Sequence, residues 1–172
     1  KGKMGGDCLN YGCVPSKSLI SAGKVAETIR RAAQFGIEVQ EPYINFSRIH
    51  EHIHDVIASI APLDSVERFT ALGVDIYKAS AKFVSPHEVD VGGTRIAAKR
   101  FIIATGSSPA IPPIPGLEVT PFWTNETVFD NCDKPGHLII IGGGPIGIEL
   151  AQAFRYLGSD VSVVEMLEPL AK

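Results

Sequence analysis

LIIIGGGPIG, residues 138–147, is the stretch that decides the fold of this chain. Apolar residues typical of a buried strand run directly into the pattern G-x-G-x-x-G at 142–147. Apolar spacing then predicts a helix from Ile146 to Leu157, and a second strand follows at Val161–Val164. Strand, glycine turn, helix and strand in this order predict the first β-α-β unit of a doubly wound fold that binds a dinucleotide.

Each glycine of the turn has its own physical role in that fold. Gly142 allows the tight turn, Gly144 lets a pyrophosphate approach the backbone, and Gly147 lets the helix pack closely on the strand. Glu165 ends the next strand, where a carboxylate accepts hydrogen bonds from the adenosine ribose and repels a 2′-phosphate. The pattern therefore favours NAD(H) over NADP(H). The alternative is a glycine-rich turn beside a surface glutamate.

The second informative stretch is GGDCLNYGCVPSK, residues 5–17. Residues that lie five positions apart on a regular helix are separated by about 7.5 Å along its axis, whereas disulfide-bonded Cα atoms lie roughly 4.4–6.8 Å apart. A bond between Cys8 and Cys13 therefore requires a distorted first turn, for which the glycines in this stretch supply the freedom. The alternatives are two structural cysteines, or half of a zinc site completed by His50 and His54.

The rest of the chain alternates helices with short strands. Apolar spacing predicts a helix from Ser16 to Phe35 and another from Ser47 to Leu72, which Pro62 interrupts. Four prolines within 109–115 indicate a stiff, extended segment and the boundary between two domains. The other predicted strands are Val74–Ala79, Ala81–Val84, Glu88–Val91, Arg95–Ala98 and Phe101–Ala104.

Composition excludes several classes of function. The net charge of −3 is spread without a long run of one sign, so there is no electrostatic footprint for nucleic acid or an anionic membrane. No apolar run approaches the roughly 18 residues of a transmembrane helix. Three cysteines fit a cytoplasmic redox pair with Cys132 as a bystander better than a secreted disulfide framework. Both ends of the sequence look cut, so we expect a longer polypeptide.

Residues 5–17 resemble the active-site signature of the class I pyridine nucleotide-disulfide oxidoreductases, in particular the mercuric reductase-like and dihydrolipoyl dehydrogenase-like members. Thr105, Gly106 and Ser107 resemble part of the family's second FAD-contact loop. Ala81 falls where the family usually has a glycine with a backbone contact to FAD.

The resemblance implies an α/β fold made of parts of two domains. Residues 1–108 would form part of an FAD-binding Rossmann-like domain with inserted antiparallel strands and the redox disulfide. Residues 109–136 would be a proline-rich crossover. Residues 137–172 would begin an NAD-binding Rossmann domain with its first β-α-β unit.

The resemblance also implies an electron relay from NADH through FAD to a disulfide. Cys13 matches the thiol nearest the flavin, and Cys8 matches the interchange thiol that meets the substrate. Lys17 matches a lysine beside the flavin, and Glu149 matches its acidic partner near the nicotinamide. Asp7 departs from the family, which usually has threonine there beside the flavin phosphates.

The implied partners are a small thiol, disulfide or lipoyl substrate, or Hg(II), and a second copy of the protein in a homodimer. The family's active site uses both subunits, so this chain by itself is not expected to turn over. An alternative is an NADH-responsive redox-sensing flavoprotein without a small-molecule substrate. A remnant that holds no cofactor is a further alternative.

Overall fold

The structure is a computed structural model that describes residues 2–167. Helices come first along the chain, a small antiparallel sheet follows, and a β-α-β unit comes last. Short 3-10 turns and extended segments connect them. The helices are α1 (Gly6–Asn10), α2 (Cys13–Arg30), α3 (Phe46–Ile60), α4 (Val66–Ala71) and α5 (Pro145–Tyr156); the strands are β1 (Ala81–Ser85), β2 (Glu88–Val91), β3 (Thr94–Ala97), β4 (His137–Ile141) and β5 (Asp160–Val164).

Local sequence signals set the ends of the helices. A 3-10 turn follows α2 and ends at Gly36, whose φ of 79° is readily adopted by glycine. The Asn45 side chain caps α3 by accepting a hydrogen bond from the Arg48 amide. Pro62 falls in a 3-10 turn between α3 and α4, so the predicted interruption of the second helical stretch is confirmed. Ser65 then caps α4.

The antiparallel sheet has the order β1-β2-β3. A tight turn through Gly92 and Gly93, with φ of 60° and 89°, joins β2 to β3, and the strand predictions here are confirmed to within about a residue at each end. The predicted strands at 74–79 and 101–104 are wrong, because these segments have no ladder partner among residues 2–167. An apolar run becomes a strand only when a neighbouring strand pairs with its backbone, and Ile102 is accordingly 95% exposed.

The β-α-β unit at the end of the described chain confirms the fold that was predicted from the glycine motif. Strands β4 and β5 pair in parallel, with His137 opposite Asp160 and Ile141 opposite Val164. Helix α5 connects them and covers one face of the pair, while residues such as Ile139 remain exposed on the other face. The predicted α/β class with Rossmann-like elements is confirmed. The domain boundaries after residues 108 and 136 stay a prediction.

One hydrophobic core joins α2, α3 and α5. Phe46 from α3 stacks on Phe154 from α5, with ring centroids 5.7 Å apart. Gly23 of α2 lies against α5 so closely that a Cβ there would be 3.1 Å from the Ala153 carbonyl oxygen. The buried residues of this core are Leu19, Ala26, Phe46, Ile53, Val128, Phe129, Ala153, Phe154 and Leu157.

The contacts between α2 and α5 run in the same order along both helices. Lys17 meets Glu149, Gly23 meets Ala153, and Arg30 meets Tyr156. The two helices therefore point the same way, and their N-terminal ends lie on the same side of the molecule. Among residues 2–167, no helix combines the length and apolar character that crossing a membrane requires.

The glycine turn generates a test of this packing. A Cβ on Gly147 would lie 2.1 Å from the Gly142 carbonyl oxygen, a backbone atom that cannot move aside cheaply. We expect Gly147→Ala to lower the free energy of unfolding by about 2–3 kcal/mol and to lower the thermal midpoint measurably. Gly136→Ala is the control, since no heavy atom lies within 4 Å of its Cβ position. Equal melting of both variants and the parent protein would contradict the close packing of α5 on this turn.

Candidate active site

A break between two helices brings Cys8 and Cys13 together. Helix α1 ends at Asn10, and Gly12 precedes α2 with φ −122° and ψ −113°, which are not helical angles. A Cβ on Gly12 would lie 3.0 Å from the Asp7 carbonyl oxygen, so the chain passes close to itself there. The predicted distortion of the first turn is thus confirmed.

The two thiols are free and exposed, and Cys13 lies close enough to Cys8 to affect its ionisation. The hydrogen bond with Cys13 is the main cause that raises the pKa of Cys8, and partial burial and the charges of Cys13 and Asp64 raise it further. The neighbouring Cys13 sulfur therefore favours the protonated form of Cys8.

Cys13 has a different electrostatic position from Cys8. It is the first residue of α2, where the unsatisfied amides of the helix carry partial positive charge. A negative charge is stabilised at such a position.

Lys17 and Glu149 form the ion pair that the family resemblance implied. The Lys17 Nζ atom lies 2.8 Å from Glu149 Oε1 and 2.9 Å from Oε2. Lys17 follows Cys13 by one helical turn, so the ammonium lies on the cysteine side of α2. The side chains are 60% and 43% exposed, and exposed pairs of this kind contribute only about 0–1 kcal/mol to stability. The pair links α2 to α5 geometrically more than it stabilises them.

Glu165 lies beside the glycine turn, at the end of β5. The Gly143 amide donates to its Oε2 atom at 2.6 Å, and the Leu167 amide donates to its Oε1 atom at 2.8 Å. The hydrogen bonds from Leu167 and Gly143 lower the pKa of Glu165, because they favour the ionised form. The carboxylate is thus fixed as an anion next to the turn.

The turn fits a bound dinucleotide. Gly142 has a φ of 112°, which favours glycine, and the space at the Cβ position of Gly144 is open to 4 Å. Gly144 also precedes α5, whose first amides point out of the helix end. Open space, free amides and an adjacent anion are the features that hold a pyrophosphate and a ribose.

The predicted flavin-contact residues are partly brought together. Gly106 lies near the cysteine segment, since its Cβ position is 3.8 Å from Asp7 Oδ2. Thr105 and Ser107 flank it in the same exposed loop, while Ala81 begins β1 and pairs with Val91. This exposed loop and the Lys17 ammonium fit a flavin, whereas the Asp7 carboxylate fits hydroxyl or amide donors better than phosphates. The cofactor roles of these residues stay predictions.

The histidines named in the zinc alternative lie together on α3. Within residues 2–167, no group of three or more His, Cys, Asp or Glu side chains could hold a metal ion. His50 and His54 instead lie against each other on α3, with ring centroids 4.3 Å apart. The Nε2 atom of His54 is enclosed and has no hydrogen-bond partner among the described residues. Of the three alternating histidines on this helix, only His52 is exposed.

The sequence analysis missed two interactions between residues that are distant in the sequence. Asp64, in the 3-10 turn after α3, is close enough to Cys8 to affect its pKa. Arg30 donates a hydrogen bond to the Tyr156 carbonyl, across 126 positions of sequence. No local pattern signals either contact, since each depends on how the helices pack.

Comparisons with known proteins agree with this geometry. The family model described as pyridine nucleotide-disulphide oxidoreductase matches residues 2–172. A mercuric reductase from Lysinibacillus sphaericus is 34% identical over 100% of this chain and 32% of its own length. A dihydrolipoyl dehydrogenase from Acholeplasma laidlawii is 34% identical over 96% of this chain and 50% of its own length.

A solved structure shows the same fold. The Cu(II) complex of the HOCl-induced flavoprotein disulfide reductase RclA from Escherichia coli superimposes with a TM-score of 0.79 and 27% identity. The match covers 98% of this chain and 35% of that one. The chain therefore spans about a third to a half of the length of these three proteins.

The interaction between the two thiols predicts how the alkylation of Cys8 depends on pH. In Cys13→Ala, Cys8 loses the neighbouring sulfur and its charge, which raise the pKa of Cys8, so this pKa is expected to fall. Alkylation of Cys8 by iodoacetamide should then reach half of its maximal rate at a lower pH than in the parent protein. Peptide mass spectrometry follows each thiol separately. Cys132, an exposed thiol elsewhere, is the internal control, and an unchanged Cys8 profile would refute the coupling.

Proposed function

Because this chain belongs to the pyridine nucleotide-disulphide oxidoreductase family, we propose that it is the central part of a flavoprotein that passes electrons from NADH through FAD to the Cys8–Cys13 disulfide. The relatives are two to three times longer than their matched parts, so the proposed activity is that of a longer polypeptide. This chain alone is proposed to lack turnover.

The contact between Lys17 and Glu149 carries the proposal. It joins the helix that begins at Cys13 to the helix that begins at the glycine turn. The two helices point the same way, so a nucleotide on the turn and the dithiol lie on the same side of the molecule. The nucleotide and the dithiol would then be the two redox partners on this side, with Lys17 and Glu149 between their helices. This arrangement suits electron transfer through a flavin held in the same region.

The chain's own groups have distinct tasks in this proposal. Gly144 and the first amides of α5 bind the pyrophosphate, and Glu165 accepts hydrogen bonds from the ribose. Lys17 places a positive charge where negative charge develops. A bound flavin supplies the two-electron carrier between nicotinamide and disulfide.

Electrons and protons balance when the Cys8–Cys13 disulfide is reduced. The two electrons and one proton of a hydride break the Cys8–Cys13 bond and leave one thiol and one thiolate. The raised pKa of Cys8 favours the thiol there, and the position of Cys13 at the start of α2 favours the thiolate there. The exposed Cys8 sulfur, once deprotonated, then attacks the substrate.

We propose that the substrate is a small thiol or disulfide, a lipoyl group, or Hg(II). The names of the similar proteins indicate mercury, dihydrolipoyl and disulfide chemistry. A disulfide or Hg(II) would accept two electrons from the reduced dithiol, whereas a thiol or dihydrolipoyl substrate would give two electrons to the Cys8–Cys13 disulfide. We also propose a homodimer, as the resemblance implies, and a cytoplasmic location, where thiols are kept reduced.

An anaerobic titration of the full-length protein with NADH tests the relay. After two electrons, we expect a long-wavelength absorption band from a Cys13 thiolate next to an oxidised flavin, and we expect Cys13→Ser to lack it. Visible spectroscopy records both. Bleaching of the flavin without that band would show that the dithiol is not coupled to it. A reduced dithiol that then reacts with none of the proposed substrates would favour the redox-sensing alternative.

Coenzyme preference tests Glu165. Its carboxylate repels a 2′-phosphate, so we expect kcat/KM for NADH to exceed that for NADPH, and Glu165→Gln to narrow the ratio by about tenfold, or ~1.4 kcal/mol. Asp160→Asn removes an equal charge from the opposite end of β5 and should leave the ratio unchanged. An equal change in both variants would mean that net charge, not the position of Glu165, sets the preference.

A further inference from the structure

We propose that Arg30 is a positioning residue that sets the angle between α2 and α5, and thereby the placement of Glu149 and the glycine turn against Lys17 and the dithiol. The inference rests on the proposed function for its consequence. Its structural part stands on contacts that the proposed function does not use.

Arg30 forms a forked contact that joins the far end of α5 to the extended segment before α3. It is the last residue of α2, and its Nη1 atom donates to the carbonyl oxygen of Tyr156, the last residue of α5, at 2.5 Å. Its Nε atom donates to Glu41 Oε1 at 2.5 Å. The last carbonyls of a helix lack partners within the helix and carry partial negative charge, so a guanidinium is favourable there.

This contact is more enclosed than the ion pair at the other end. The Arg30 side chain is 25% exposed, against 60% for Lys17. A partly buried cation that loses one of its acceptors leaves an unsatisfied charge, which is costly. The Arg30 end of the two helices is therefore held more firmly than the Lys17 end.

The contact of Gly23 with α5 lies between the Arg30 end and the Lys17 end of the helix pair and acts as a pivot. The backbones of α2 and α5 touch there, as the 3.1 Å separation between the Gly23 Cβ position and the Ala153 carbonyl oxygen shows. Ala153 is 1% exposed and cannot shift without disturbing the core. When one end of α5 moves, the helix therefore turns about this point.

Tyr156 and Glu149 lie at similar distances from Ala153, on opposite sides of it along α5. Tyr156 lies three residues beyond Ala153, about 4.5 Å along the axis, and Glu149 lies four residues before it, about 6 Å along the axis. A displacement of about 1 Å at Tyr156 then moves Glu149 by roughly 1.3 Å in the opposite direction. The exposed Lys17–Glu149 pair is too weak to resist this motion.

Hydride transfer is sensitive to displacements of this size. Reacting atoms must approach to about 3–3.5 Å, and a misplacement of about 1 Å can lower a rate by about 100-fold. Thiol chemistry at Cys8 depends on the break at Gly12 instead, and so is independent of α5. Loss of Arg30 should therefore slow the NADH step and spare the dithiol.

Stopped-flow reduction of the flavin by NADH, in the full-length holoprotein, tests the proposal. We expect Arg30→Met to lower the limiting rate by about 10- to 100-fold, with little change in the dissociation constant for NADH or in Cys8 alkylation. Arg30→Lys retains the charge but not the fork, so it should restore the rate only in part. Arg155→Met is the matched control, since it removes an exposed arginine from the same end of α5.

A double variant separates positioning from general loss of structure. If Arg30 acts through Glu149, then Arg30→Met and Glu149→Gln combined should be no slower than the slower single variant. Rates that multiply would overturn the proposal, as would wild-type rates in Arg30→Met.

A crystal structure of the Arg30→Met protein gives a readout that does not depend on electron transfer. We expect the Lys17 Nζ atom and the Glu149 carboxylate to separate beyond about 4 Å, with the contact at Gly23 intact. If the wild-type flavin is not reduced by NADH, the proposed function fails, whatever this structure shows. If it is reduced but the ion pair is unmoved in the variant, the positioning role fails.

Discussion

The close contact of α2 with α5 at Gly23 is the constraint on which the rest of the structure depends. Without a side chain at this position, the two backbones meet directly, and the core around Phe154 and Leu157 closes beside them. The helices then point the same way, so Cys13 and the glycine turn, which start them, face the same side. The proposed electron path depends on this close approach together with the contacts of Lys17 with Glu149 and of Arg30 with Tyr156.

Charge is distributed along this arrangement in a consistent way. Negative charge is favoured where a helix begins, at Cys13, and beside the Gly143 amide, where Glu165 lies. The cation of Lys17 lies between the two sites and is paired with Glu149. Asp7 is the exception, since its carboxylate approaches Gly106. An acid at that position makes the loop a poorer site for phosphate and a better one for donors, a feature in which this chain departs from the family that it resembles.

The structural features that could be predicted from the sequence are those that neighbouring residues determine. The Pro62 break, the distorted turn before Cys13 and the strand-turn-helix at the glycine motif all follow from local chemistry, and all are observed. The strand predicted at 101–104 was wrong because a strand needs a neighbouring strand to pair with, and no local pattern supplies one. The ion pair of Lys17 with Glu149 was predicted only through the family resemblance. The contact of Arg30 with Tyr156 could not be predicted, since it exists only once two distant helices are packed.

The two ends of the helix pair differ in a way that suits a relay. At Arg30 the contact is enclosed and forked, so it resists exchange of partners. At Lys17 the contact is exposed and contributes little to stability, so its ammonium can leave Glu149 for another anion at small cost. A firmly held contact at one end and an exchangeable ion pair at the other would confine motion to the ends where α2 and α5 begin. Under the proposed function a weak pair suits this position, because a pair strong enough to stabilise the fold would not yield when charge passes between its neighbours.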